Sequence, residues 1–596
     1  MNSAASSRDE VKERLLRTAA EVWAMPGIRS GQVDPLVGLL FGAMALEVER
    51  IGHAIHDSDA RVFERIAHYL LPEVLALTEP AHAIVKLNPE RRVTATRFEE
   101  MSFEQTVRRK ENMNRPETKE YFFSAAGDVP LSGSRIVCRI VADEVSQVDG
   151  MRWSNCGTLP SSIGPQAMFL SFHGDLQAGE VIRLYFDWPG HAARERCILA
   201  ISRITAHTVN GDPLYVGMGL APAAIEARQE DAKDISTILE QRVRAFYNER
   251  FLRIRVGELP EGAPAHIIPI LEQAGVPDAN NLRWLRLDFP TDIGQELLKD
   301  AQILDNCAPV INRRLEKAIH RLQHDLNIKR LDARGAFLGM EKAESNKGQV
   351  YAKVPSTEQV DSTPGSFTIR YGATARFDER DGSQLIQHAI DQIREESRAF
   401  ASMDLASTVS DLRSVAQALS RIERRLQESS VGTAQTYVAL RPFEETETAH
   451  LHYWTTDGEA ANGIPAGTIL RSSQQSLSPR SGIRLVTSTV GAREQRSQKE
   501  MVQQYRAVVL ARGRIVTRRD IMEHCRTVCG SRLKDVSVED GITLSPAPQK
   551  GLVRCLEVVL SFDGKAYPAE EMNYLRERLR SELNAASALS LPILLR

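Results

Sequence analysis

The stretch Asp34–Leu87, DPLVGLLFGAMALEVERIGHAIHDSDARVFERIAHYLLPEVLALTEPAHAIVKL, sets the terms for the fold. Within it Val37, Phe41, Met44, Val48, Ile51 and Ile55 are spaced 4, 3, 4, 3 and 4 residues apart, so all six share one narrow helical stripe. Fully burying six such side chains contributes roughly 10 kcal/mol, at about 1.5–3 kcal/mol each. A lone helix has nothing to bury them against and is marginal in water, so the seam requires a partner helix. Ser58 or Asp59 suits the cap of a second helix, whose apolar face is Val62, Phe63, Ile66 and Leu70. Pro72 limits how far that helix continues. Residues 1–79 are therefore expected to be a helical region, followed by the strand Ala83-Ile84-Val85.

Downstream the periodicity changes. Residues 80–235 alternate in short apolar runs such as Ile136–Val141 and Val181–Phe186, separated by turns such as Trp188-Pro189-Gly190, and predict a β-rich, sandwich-like domain. Residues 236–430 read as mixed α/β with long amphipathic helices. A strand over Leu282–Phe289 leads to a helix starting near Pro309, with Ile311, Leu315, Ile319, Leu322 and Leu326 on its apolar face. Ser383–Phe400 forms another amphipathic helix. A further seam, Leu412, Val415, Leu419, Ile422 and Leu426, follows Thr408-x-x-Asp411 as its capping box. Each seam either packs across its own domain's sheet or completes a helical bundle with another subunit. The polar segments 343–366 and 472–500 are expected to be loops.

Residues 431–500 return to strands, with His450–Trp454 running into the turn Thr456-Asp457-Gly458. In residues 501–596 the predicted order is strand (Tyr505–Leu510), helix opened by the capping box Thr517-x-x-Asp520, strands Leu533–Val538 and Leu552–Phe562, helix after Pro568, and strand Leu591–Leu595. That βαββαβ order is the ferredoxin-like one. The expected fold class is α+β multidomain: an N-terminal helical region, β-sandwich-like middle domains and a C-terminal ferredoxin-like domain.

Bulk properties exclude several classes. Hydrophobic residues at 42% and charged residues at 26% permit large buried cores. Seventy-five Lys plus Arg against 78 Asp plus Glu leave a net charge of -3, which calls for neither nucleic acid nor an anionic membrane as partner. The opening residues MNSAASSRDEVKERLL contain no apolar signal-type run, and no window approaches 18 apolar residues. The seven scattered cysteines argue for free thiols in a reducing compartment. A cytoplasmic protein is expected.

Catalytic motifs are missing from the sequence: there is no G-x-S-x-G, no G-x-x-x-x-G-K-[ST], no G-x-G-x-x-G after a strand and no H-E-x-x-H. His524, Cys525 and Cys529 form the nearest metal candidate, but a structural zinc site takes four ligands, and the two cysteines read better as small packed hydrophobes. His450 and His452 share a strand face without a third ligand nearby. No metal, cofactor or catalytic residue is expected.

Several ordered segments carry a resemblance. Asp34-Pro35, the helix exit Tyr69-Leu70-Leu71-Pro72, Pro80 and Ala83-Ile84-Val85 come first. Asn306-Cys307-Ala308-Pro309 with Asn312-Arg313 follows, then Arg376-Phe377 with Glu396 and Ala399-Phe400. Trp454-Thr455 to Gly458, Ala461-Asn462-Gly463-Ile464 and Gly467 come next, and Ile515-Val516-Thr517, Asp520-Ile521, Cys525 and Gly530 close the series. Together they resemble TssF, the baseplate wedge subunit of type VI secretion systems, in its divergent Bacteroidetes-type branch. The segment Val11–Ile28 departs from the longer, Tyr-rich lead-in of better-known members. The resemblance implies a mechanical, non-enzymatic role. Two copies would pair with one TssG-like subunit, and six such wedges around the spike would offer a platform for tube and sheath proteins. Nucleic acid and membrane insertion play no part in that role. A wedge protein of a phage tail or extracellular contractile particle is the alternative, and a metal-dependent enzyme using His524, Cys525 and Cys529 a more distant one.

Overall fold

The computed structural model describes residues 8–22, 40–46, 78–89, 101–107, 117–220, 235–257, 267–273, 281–354, 364–371, 436–494, 514–544, 551–562 and 568–595, with short gaps at 129, 161, 175, 323–326, 332–334, 445–446, 473–482 and 588–590. Residues 48, 51, 262, 418 and 421 are also described. They show a mixed α+β protein that divides into two compact units. One comprises Met1–Ala76, Arg496–Tyr567 and Leu575–Arg596; the other comprises Leu77–Gln495 and Pro568–Tyr574.

The larger unit is organised by a closed six-stranded barrel. Its strands run in the order His82–Lys86, Cys307–Asn312, Glu117–Ala125, Met101–Val107, Ile469–Ser472 and Ile483–Leu485, which returns to the first. Closure removes the sheet edges that would otherwise expose unpaired backbone groups. Ala83, Val85, Met101, Phe123, Ala308, Val310 and Leu485 fill one core. The alternate residues Ile84, Cys307 and Ile311 point into a second, shared with Tyr185, Tyr247 and Phe251. The strands at 82–86 and 307–312 are therefore buried on both faces.

Between its third and second spatial strands the chain leaves the barrel to build a ten-stranded sheet. Its order is Gln302–Asp305, Val181–Asp187, Phe251–Arg255, Pro213–Met218, Thr205–Thr208, Arg283–Asp288, Ala167–His173, Arg135–Val141, Glu144–Asp149 and Arg152–Thr158. Both halves contribute to one core, with Met168, Leu170 and Phe172 clustering with Leu184, Phe186 and Leu252. The expected border between residues 235 and 236 falls inside this sheet, and the barrel draws strands from three of the expected segments. A second excursion, 314–456, forms a three-stranded sheet (Arg314–Arg321, Thr448–Thr456, Ala336–Ser345) and a four-stranded one (Ile328–Leu331, Thr436–Arg441, Ser366–Tyr371, Ala352–Lys353). They share Phe337, Met340, Phe367, Val438, Leu451 and Tyr453 as core.

Three readings need correction. The helix expected from Pro309 is instead two strands, Cys307–Asn312 and Arg314–Arg321. A strand buried on both faces reads as a continuous apolar run, which periodicity alone does not distinguish from a buried helix. Ile319, placed on the supposed apolar face, is 64% exposed. The loops also contain structure: Ala352–Lys353 pairs in parallel with Ser366 and Phe367, and Ile483–Leu485 closes the barrel.

In the smaller unit Val11 and Leu16 of helix Arg8–Val22 are buried. Helix Arg518–Cys529 opens with the expected capping box, Thr517 and Asp520 bonding reciprocally. Helix Ala569–Ala586 buries Leu575, Leu579 and Leu583. The ferredoxin-like arrangement is not met. Ile593–Leu595 lies directly beside Leu552–Phe562 and parallel to it, with Leu533–Leu544 on the other edge. A split βαβ unit keeps another strand between the two. Element order alone does not fix strand order, because a crossover helix can return the chain next to the strand it left. The strand expected at Tyr505–Leu510 and the helices with Val62, Phe63, Ile66 and Leu70, and at Ser383–Phe400, lie outside the described residues.

Candidate functional site

The segment Asn306–Arg313 holds the larger unit together at two pivots. At the first, the chain passes from the ten-stranded sheet to the barrel in a single residue. Asn306 takes a left-handed backbone, φ 48°, which asparagine tolerates better than most residues. Its amide oxygen accepts the Ser132 N–H at 2.8 Å, and its amide nitrogen donates to the Ser132 and Ser134 carbonyls at 3.0 and 3.1 Å. Asp305 accepts the Ile136 N–H at 3.1 Å and pairs with Lys86 at 3.1 Å. Burial works against the Lys86 ammonium, but Asp305 outweighs it and the lysine pKa is raised.

The second pivot lies six residues on, where the barrel strand ends. Asn312 accepts the Thr456 hydroxyl at 2.9 Å and the Asp457 N–H at 3.0 Å, and donates to the Phe122 carbonyl at 2.9 Å. Arg313 donates to the Ala125 carbonyl at 3.0 Å, to Glu240 at 2.6 Å and to the Ser124 hydroxyl. Its guanidinium lies 4.2 Å from the centre of the Trp454 ring. The planar fork satisfies several acceptors at once, which a lysine does not do. Nearby turns are made by Gly458, Gly463 and Gly467, with φ 61°, 76° and 86°. Buried polar groups with all partners present rigidify the core around them. The signal in the sequence is a pair of polar ends, Asn306 and Asn312-Arg313, bounding the apolar run CAPVI.

A third buried knot lies in the same unit. Asp187 accepts from Arg194 at 2.6 Å, from the Tyr185 hydroxyl at 3.0 Å and from the Trp188 N–H at 2.8 Å, with Arg250 3.7 Å away. Burial alone would raise its pKa, yet Arg250, Arg194 and the Trp188 N–H hold it below the usual carboxylate range.

The candidate interaction surface is in the smaller unit. Residues 40–46, 48 and 51 are helical. Gly42 and Ala45 are its buried positions. Of the expected seam, Met44, Val48 and Ile51 remain 47%, 40% and 52% exposed and Phe41 is half-buried; Leu40, which the expected seam does not include, is 60% exposed beside them. At 100° per residue Leu40, Met44, Val48 and Ile51 fall within a strip about 80° wide. Val37 and Ile55 of the same seam, and Leu412, Val415, Leu419, Ile422 and Leu426 of the other, lie outside the described residues.

The metal candidates separate on inspection. Cys525 and Cys529 pack in the core with Ile515, Ile521 and Leu579, and burial pushes the Cys525 thiol up to about 12. His524 turns away to pair with Glu582 at 3.1 Å. His450 and His452 lie on the outward face of the three-stranded sheet, opposite Ile319 and Lys317. Among the described residues no three His, Cys, Asp or Glu side chains gather to hold a metal ion. No described helix is long and apolar enough to cross a membrane.

No family model matches the chain, and no curated protein matches it. Among solved structures, it is similar to a chain of the type VI secretion system TssK-TssF-TssG baseplate subcomplex over 94% of its own length and 95% of that chain, at 13% identity and a TM-score of 0.43. It is similar to a chain of the baseplate complex from the type VI secretion system over 99% of its length and 95% of that chain, at 13% identity and a TM-score of 0.42. A chain of the anti-feeding prophage baseplate covers 48% of this one, and 57% of that chain is covered, at 17% identity and a TM-score of 0.13.

Proposed function

We propose that this chain is a TssF-like wedge subunit of a type VI secretion baseplate. In this reading it is cytoplasmic and non-enzymatic, and binds a TssG-like partner with two copies of itself to one. The observation that carries the reading is where the described resembling motifs of the larger unit fall. Asn306-Cys307-Ala308-Pro309, Asn312-Arg313, Trp454-Thr455 and the glycines 458, 463 and 467 make the pivots and turns of the larger unit, not a reactive cleft. A force-transmitting subunit needs such a frame.

The helical stripe supplies the partner surface. Leu40, Met44, Val48 and Ile51 are each about half exposed, so completing their burial contributes on the order of 3–6 kcal/mol. Native mass spectrometry of the chain co-expressed with a candidate TssG-like protein tests the reading, and a 2:1 complex is expected. Met44→Glu/Val48→Glu should abolish the complex, because an unpaired charge in an interface is costly, while the isolated chain melts where the wild type does. A wild-type chain that ignores the candidate partner would point to another contractile machine. A double variant that assembles normally would remove the seam from the interface.

A further inference from the structure

The three-stranded sheet presents an unusual outward face. Its strands are in register so that Lys317, His452 and Lys342 form one row across Arg314–Arg321, Thr448–Thr456 and Ala336–Ser345. The adjacent row is Ile319, His450 and Glu344, and beyond it Arg321 lies opposite Thr448. The opposite face, with Ala318, Leu451 and Ala343, packs on the core, so these rows face out. Ile319 is 64% exposed, and Lys317, Arg321 and Lys342 are exposed beside it.

Cationic side chains directly opposite one another on adjacent strands destabilise a sheet. Here two lysines flank a histidine, whose proton affinity is lowered by burial first and then by Lys317 and Lys342. The only carboxylate in the two rows is Glu344, which pairs with Lys342. Lys317 and Arg321 have no ion-pair partner among the described residues. A chain of net charge -3 thus gathers, around one exposed isoleucine, cations that no described residue neutralises.

We propose that this face docks an acidic segment of a partner protein, with carboxylates meeting Lys317 and Arg321 and an apolar side chain covering Ile319. The surface is distinct from the helical seam and does not depend on it. A protein segment suits it better than nucleic acid. Phosphate-backbone binding draws on many cations, whereas here two cations without an ion-pair partner among the described residues border an apolar centre and a carboxylate.

The test uses the full chain and a fluorescein-labelled peptide of glutamates around a central leucine, with an oligothymidine of equal charge as competitor, followed by anisotropy at low salt. The peptide should bind, and Lys317→Glu/Arg321→Glu should weaken it about tenfold or more, since like charges are then brought together across the interface. Lys317→Arg should retain binding. Hydrogen exchange should slow in 314–321 and 448–456 when peptide is added. The charge-reversed chain should melt no lower than wild type, because the substitution relieves the like-charge row. Unchanged affinity in the reversed chain, protection elsewhere only, or preference for the oligothymidine would each overturn the proposal.

Discussion

Arg313 offers the sharpest test of the pivot account. Arg313→Met keeps much of the stem that covers Trp454 but removes the guanidinium and its bonds to Glu240, the Ala125 carbonyl and the Ser124 hydroxyl. The ion pair is almost wholly buried, with the two side chains 2% and 9% exposed. Breaking such a pair by deleting one partner costs about 3–5 kcal/mol, and the stacked cation–π contact adds up to about 2. Arg244 lies near Glu240 and offsets part of the loss, so a net of about 3 kcal/mol is expected. A chain of this size does not unfold in one step, so native-state hydrogen exchange is the appropriate assay. Amides of Cys307–Asn312 and Thr448–Thr456 should exchange roughly a hundredfold faster. Arg313→Lys should fall between, keeping the charge but losing the fork. The double variant Arg313→Met/Glu240→Leu should recover more than half the protection, because neither charge is then left buried alone. Exchange within threefold of wild type in Arg313→Met would refute the pivot role.

At the other pivot, Asn306→Ala should destabilise by about 1 kcal/mol more than Asn306→Gly, because both lose the amide bonds but only alanine is strained at φ 48°; native-state hydrogen exchange of the Cys307–Asn312 amides in the two variants decides it, and equal exchange would contradict the account. The Asp187 knot carries a pH signature. Its folded pKa lies below the unfolded value of about 3.9, so its stabilisation is fully present above that value and is lost as pH falls through the folded pKa. Asp187→Asn should therefore flatten the acid limb of stability measured by urea denaturation below about pH 4, and an unchanged limb would show that the knot does not contribute there.

Much of the local structure was legible. The capping box at Thr517 and Asp520, the turn glycines 458, 463 and 467, and the strands near Arg283–Asp288 and Leu552–Phe562 follow from side-chain chemistry that acts within a few residues. Misreadings arose where burial came from distant chain. Cys307–Asn312 reads as helical because its burial comes from distant chain: it pairs with strands more than a hundred residues away and packs on Tyr185, Tyr247 and Phe251, more than fifty residues away. The seam at 41–51 was legible as a stripe, yet its spacing was silent on whether this chain covers it; in the structure Met44, Val48 and Ile51 stay about half exposed.

The sequence by itself determined the mixed α+β class, the placement of caps and turns, the apolar helical stripe and the poverty of catalytic motifs, because each depends on near neighbours or on composition. Only the tertiary structure decided that pieces near 82–125, 307–312 and 469–485 close one barrel. The same holds for the placement of Ile593–Leu595 directly beside Leu552–Phe562 and for the alignment of Lys317, His452 and Lys342 in one row. Those outcomes rest on strand register and on pairing between distant segments, and a period-two pattern is compatible with many partners until the buried cores select one.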